Sequence, residues 1–95
     1  MKNKELDNLR SKINNIDDEI LSLLSNRSKI VLEIGKYKKH NSVVDPDREQ
    51  KILDRLSSNF TGSYPKDTIV RLWREIFQSS EKLQKLTKEN IQSKR

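Results

Sequence analysis

The first forty residues constrain this chain most. Leu6, Leu9, Ile13, Ile16, Ile20, Leu23, Ile30 and Ile34 recur at alternating steps of three and four with one gap, a heptad seam carried over about five repeats. The spacing predicts one long helix, over residues 4 to about 40. At about 1.5 Å per residue such a helix is a rod of roughly 55 Å, too long for a chain of 95 residues to surround with its own remainder. It is therefore expected to pack against a second copy. The gap in the seam is filled by Arg27, a guanidinium on the stripe meant for the core, and a charge there needs a partner.

Composition agrees with extended helices. Apolar residues make up 32% and charged residues 36% of the chain, with only two Gly and two Pro, a balance that suits helices better than a sandwich or barrel. The length allows one domain, and so short a chain buries a smaller fraction of its surface than a larger one does, which again favours oligomerisation. There is no cysteine and His40 is the single histidine. Disulfides, thiolate nucleophiles and thiolate or multi-histidine metal sites are thereby excluded, and no metal is expected. No stretch approaches the roughly 20 apolar residues that span a bilayer, and the opening Met-Lys-Asn-Lys-Glu leads into no apolar signal core. The expectation is a soluble cytoplasmic protein without membrane contact.

A net charge of +6 raises the question of nucleic acid. Lys and Arg are nevertheless spread among 14 acids, and aromatics are only 5%, so neither a dense basic tract nor a stacking platform is present. Much of the excess lies at helix ends, at Lys36, Lys38 and Lys39 and then at Lys82, Lys85, Lys88, Lys94 and Arg95, where cations complement the helix dipole. The charge reads as a solvated helical surface, with an anionic small molecule as its other use.

In chain order, Asn3 can cap the first helix, whose first turn carries Glu5 and Asp7. Gly35 lies inside the helix, where it costs about 1 kcal/mol relative to Ala. Either the helix bends there or something approaches its backbone closely. Asp45 suits an N-cap, Pro46 the first helical position, and Asp47 and Glu49 the positive end of the dipole, so a second helix is predicted over residues 46 to about 57. Ile52, Leu53 and Leu56 give it one buried face. After a loop through Gly62, a third helix is predicted over residues 65 to about 87, with Ile69, Leu72, Trp73, Ile76, Phe77, Leu83 and Leu86 at helical spacing. The polar tail, residues 88–95, is expected to fray. No strand or internal repeat is apparent.

Several polar residues sit at informative places on these helices. Arg27 and Lys38 are about three turns and 16 Å apart on nearly one face, so two cations can converge on one small dianion. Arg10 stands about 25 Å from Arg27 along the rod and about a quarter turn away; to serve the same site it must come from another subunit. Ser80 and Gln84 share a face at i, i+4, and Ser80 falls where the apolar stripe would continue. Polar groups facing inward need partners, because leaving each unpaired costs about 1 to 3 kcal/mol. Taken singly, each has a plainer reading: Arg27 paired with Asp17 or Glu49 across a dimer, Lys38 solvated, Gln84 exposed.

The segments Leu9-Arg10-Ser11-Lys12-Ile13, Leu23-Leu24-Ser25-Asn26-Arg27, Ile34-Gly35-Lys36-Tyr37-Lys38, Val44-Asp45-Pro46-Asp47-Arg48-Glu49-Gln50 and Ile76-Phe77-Gln78-Ser79-Ser80-Glu81-Lys82-Leu83-Gln84 together resemble the all-helical class of chorismate mutases. The resemblance runs from residue 6 to about 86 and includes a motif from every helix. It implies an all-α fold: one domain over 1–95, a three-helix subunit of long, short and long helices, and an intertwined homodimeric helical bundle. Chorismate is the implied substrate and prephenate the product, in phenylalanine and tyrosine biosynthesis, with no cofactor.

Carried over residue by residue, the resemblance makes Arg10 the arginine that crosses to the neighbouring subunit and Arg27 the holder of a substrate carboxylate. Lys38 and Gln84 match the contacts to the ether oxygen. Asp45, Arg48 and Glu49 match positions shaping the site, with Glu49 toward the substrate hydroxyl, and Ser80 matches a serine that orients a carboxylate. Asn14 stands where an acid is frequent in the family; His40 reads as surface and Trp73 as core. Two other readings exist. A lyase releasing pyruvate from isochorismate uses a similar cation set on this fold, but the complete Asp45 to Glu49 segment and Gln84 favour the mutase. A non-enzymatic basic helical dimer leaves Arg27, Ser80 and Gln84 unexplained.

Overall fold

The computed structural model describes residues 2–37 and 45–93. The chain forms three helices, α1 (Lys2–Tyr37), α2 (Pro46–Asn59) and α3 (Lys66–Ser93), and no strand among the described residues. This is the all-α, long-short-long order that the hydrophobic periods predict. The residues divide into two units, Met1–Ile30 and Val31–Arg95.

The first unit is the greater part of α1. Its apolar seam is open to solvent: Leu9 and Ile13 are each 57% exposed and Leu23 67%. Backbone hydrogen bonds hold the rod, while the seam that encodes it is left uncovered within one chain. The helix begins at Lys2, so Asn3 lies in its first turn and does not cap it; the polar, glycine-free opening carries the helix past the residue best suited to stop it. The expected end near residue 40, and His40 with it, lie outside the described residues.

In the second unit α2 and α3 pack against each other. Asp45 starts α2 as predicted, its carboxylate accepting from the Arg48 N–H at 3.1 Å, with Pro46 at the first position. The carbonyl of Asp45 also accepts from the Glu49 N–H at 3.0 Å. Leu53 is the buried residue of α2, and Ile52 and Leu56 are half-buried beside it. The helix ends at Asn59, two residues later than predicted, where the Phe60 N–H reaches the Leu56 carbonyl at 3.0 Å. Serine does not stop it because Ser57 turns its hydroxyl onto the Leu53 carbonyl at 2.7 Å. In the following loop Gly62 makes room for a ring: a Cβ there would lie 2.5 Å from Phe60 Cζ.

Helix α3 buries Phe77 and Gln84, with Trp73 half-buried. It continues to Ser93, six residues beyond the predicted end near Thr87. The segment from Lys88 contains neither Gly nor Pro, and Lys, Glu and Gln propagate a helix readily. Among the described residues the buried apolar side chains are Val31, Leu53 and Phe77, one from each helix and all in this unit.

Candidate active site

Gln84 is the most unusual side chain in the second unit. It is 5% exposed and the only buried polar residue among those described, so the plainer reading of an exposed glutamine fails. The apolar stripe of α3 turns it inward, where its Nε2 donates to the Val31 carbonyl at 2.8 Å. A carboxamide nitrogen carries two N–H donors, so one bond to α1 leaves a second donor in a place largely closed to water. Gly35 lies one turn beyond Val31 on α1. A Cβ built there would meet Gln84 Cγ at 3.3 Å and Cδ and Nε2 at 3.6 Å. Of the two explanations for the mid-helix glycine, close approach by another group holds. The Val31 partner is a backbone atom 53 residues away in sequence, and no side-chain pattern announces it.

Ser80, one turn before Gln84, is half-buried and donates to the Ile76 carbonyl at 2.7 Å. Glu49 on α2 is also half-buried. It lines a cavity of about 260 Å³ shared by Pro46, Gln50, Leu53, Arg74, Phe77, Gln78 and Glu81. Arg74, Gln78 and Glu81 escaped the sequence reading, although their i, i+4, i+7 spacing puts them on one helix face. Glu81 additionally meets Lys85 at 2.8 Å in a partly exposed pair.

The remaining predicted residues are distributed as follows. Asp45 is committed to capping α2, and Arg48 is exposed on the first turn of that helix. Arg10, exposed, and Arg27, half-buried, stand on α1 in the first unit. Lys38 lies outside the described residues. The second unit thus brings together Gln84 and α1, and Glu49 and the α2–α3 cavity. Among the described residues no group of three or more His, Cys, Asp or Glu could hold a metal ion. No described helix is long and apolar enough to cross a membrane.

Among the described residues the chain is an all-α protein of three helices, with an exposed apolar seam on the first and a buried carboxamide on the third. Likeness to known proteins specifies its family. A family model described as chorismate mutase type II matches residues 9–85, and the chain belongs to that family. It is 35% identical over 91 residues to a bifunctional chorismate mutase/prephenate dehydratase of Aquifex aeolicus, covering 90% of this chain and 25% of that protein. The chain spans a quarter or less of the length of such curated relatives. Among solved structures it resembles a chorismate mutase of Helicobacter pylori in complex with prephenate, at a TM-score of 0.82 and 33% identity, covering 88% of this chain and 93% of that one. A chorismate mutase of Thermus thermophilus is similar at a TM-score of 0.78 and 35% identity, covering 85% and 94%.

Proposed function

We propose that this chain catalyses the rearrangement of chorismate to prephenate, as a cytoplasmic homodimer, on the route to phenylalanine and tyrosine. The observation that carries the reading is the buried Gln84 amide, a neutral hydrogen-bond donor that matches the family's contact to the substrate's ether oxygen. The reaction is an intramolecular pericyclic step. It needs no nucleophile and no proton transfer, so the enzyme's contribution is geometry and field.

In this reading Arg10, Arg27 and Arg48 hold the two carboxylates with the help of Ser80. The enolpyruvyl arm is thereby kept over the ring, and such positioning contributes up to several kcal/mol. A planar guanidinium suits a carboxylate and an ammonium suits a single oxygen. As the ether bond breaks, negative charge grows on its oxygen. The Lys38 ammonium and the second Gln84 N–H stabilise it, and donors already oriented need no reorganisation as the charge develops. Glu49 accepts from the ring hydroxyl, and Asp45 holds the first turn of α2 that carries Arg48 and Glu49.

The dimer is supported by the uncovered seam of the first unit. Leu6, Leu9, Ile13, Ile16, Ile20, Leu23 and Ile30 are all between 45% and 67% exposed, and their heptad spacing matches a second copy of the same helix. Arg10 is then supplied by the neighbouring subunit. The test is the loss of chorismate absorbance with purified protein and no added cofactor, with Lys38→Ala run beside it and the product identified. Prephenate formation that disappears in the variant is the expected result. No turnover of chorismate would overturn the assignment, and isochorismate would be tried next.

A further inference from the structure

Gly35 and Gln84 form a matched pair in the second unit. Gly35 carries no positive φ, so glycine is not required there by backbone conformation, and the mid-helix position disfavours it. Space explains it. A Cβ at 35 would stand 3.3 Å from Gln84 Cγ, tighter than ordinary van der Waals contact, and 3.6 Å from Cδ and Nε2. The missing side chain lets the Gln84 stem lie against the α1 backbone. From there its Nε2 reaches the Val31 carbonyl, at 2.8 Å. That bond also fixes which end of the amide is which: Nε2 must face the carbonyl, because Oε1 turned toward it would set two acceptors together.

We propose that Gly35 is a positioning residue, whose bare Cα and the Val31 carbonyl one turn away together set the depth and orientation of the Gln84 amide. The pair acts as a seat. Gly35 touches no substrate; it acts through Gln84, the donor to the ether oxygen, and on this point the proposal rests on the function given above. The seat makes a specific demand of α1, since the space at 35 and the carbonyl at 31 must face the same point on α3.

The test is a double-mutant cycle on the full chain with Gly35→Ala and Gln84→Ala. Alanine favours the helix by about 1 kcal/mol, which offsets the crowding of Gln84, so Gly35→Ala is expected to fold. It should lower kcat by about tenfold with KM little changed, the signature of a misplaced transition-state contact. In the Gln84→Ala background the same substitution should cost nothing further. A loss of equal size in both backgrounds, or no loss of kcat in the first, overturns the proposal. A second readout is independent of turnover: the side-chain amide of Gln84 in nitrogen–proton NMR spectra. In the parent its two Nε2 protons should be well separated and protected from exchange, and in Gly35→Ala shifted and less protected. Should the parent fail to convert chorismate, the assigned function falls while this spectrum still decides the seat, and an unmoved Gln84 signal overturns it.

Discussion

At the scale of single residues the proposed mechanism turns on the amide of Gln84, which is buried and already bonded through one of its N–H groups to the Val31 carbonyl. Gln84→Ala removes the remaining donor and is expected to lower kcat by about 10² to 10³, the usual effect of deleting one preorganised donor to a developing oxyanion. KM should change far less, as steady-state kinetics on chorismate would show. Gln84→Glu is more discriminating. An ionised carboxylate has no proton for the Val31 carbonyl or for the ether oxygen, whereas the protonated acid has one. Activity of that variant should therefore be low at neutral pH and rise as the solution is acidified, and a flat pH profile would contradict the donor role. Arg10, Arg27 and Lys38 were legible as candidates from type and spacing. The partner that makes Gln84 a donor was not, since a backbone carbonyl carries no sequence signature.

Each helix was visible in the sequence, but the signals differed in kind. The heptad seam of α1 and the Asp45-Pro46 start of α2 are strong local signals, and the structure follows both. Helix ends were weaker. Both α2 and α3 run past their predicted ends, to Asn59 and Ser93, because serine hydroxyls bond backward to their own helix and no glycine or proline ends the tail. The cavity-lining face of Arg74, Gln78 and Glu81 could be read as a stripe only once Leu53 and Phe77 showed which way α2 and α3 meet. Two predictions belong to this scale. Asp45→Ala should destabilise the protein by about 1 kcal/mol through the lost cap, measured by urea unfolding, whereas Asp45→Asn should recover most of it. Leu53→Ala, at a site 4% exposed where α2 meets α3, should cost about 2 to 5 kcal/mol. A smaller loss would mean that the α2–α3 contact is not where the stability of the second unit resides.

For the whole molecule, the decisive feature is an apolar stripe along α1 that the chain does not cover. In the proposed dimer this stripe is the interface, and its heptad period suits another helix. Ile13→Glu should then shift the protein to monomer in sedimentation and abolish turnover together, since Arg10 is assigned to the neighbouring subunit's site. The account as a whole is tested most directly by mixing two inactive variants, Arg10→Ala and Arg27→Ala, through unfolding and refolding together. If each site takes Arg27 from one subunit and Arg10 from the other, a mixed dimer holds one intact site and one doubly impaired one. With random two-fold pairing, half of the dimers are mixed, and chorismate turnover should return to about a quarter of the parent level. A mixture no more active than the two variants assayed apart would contradict the shared site.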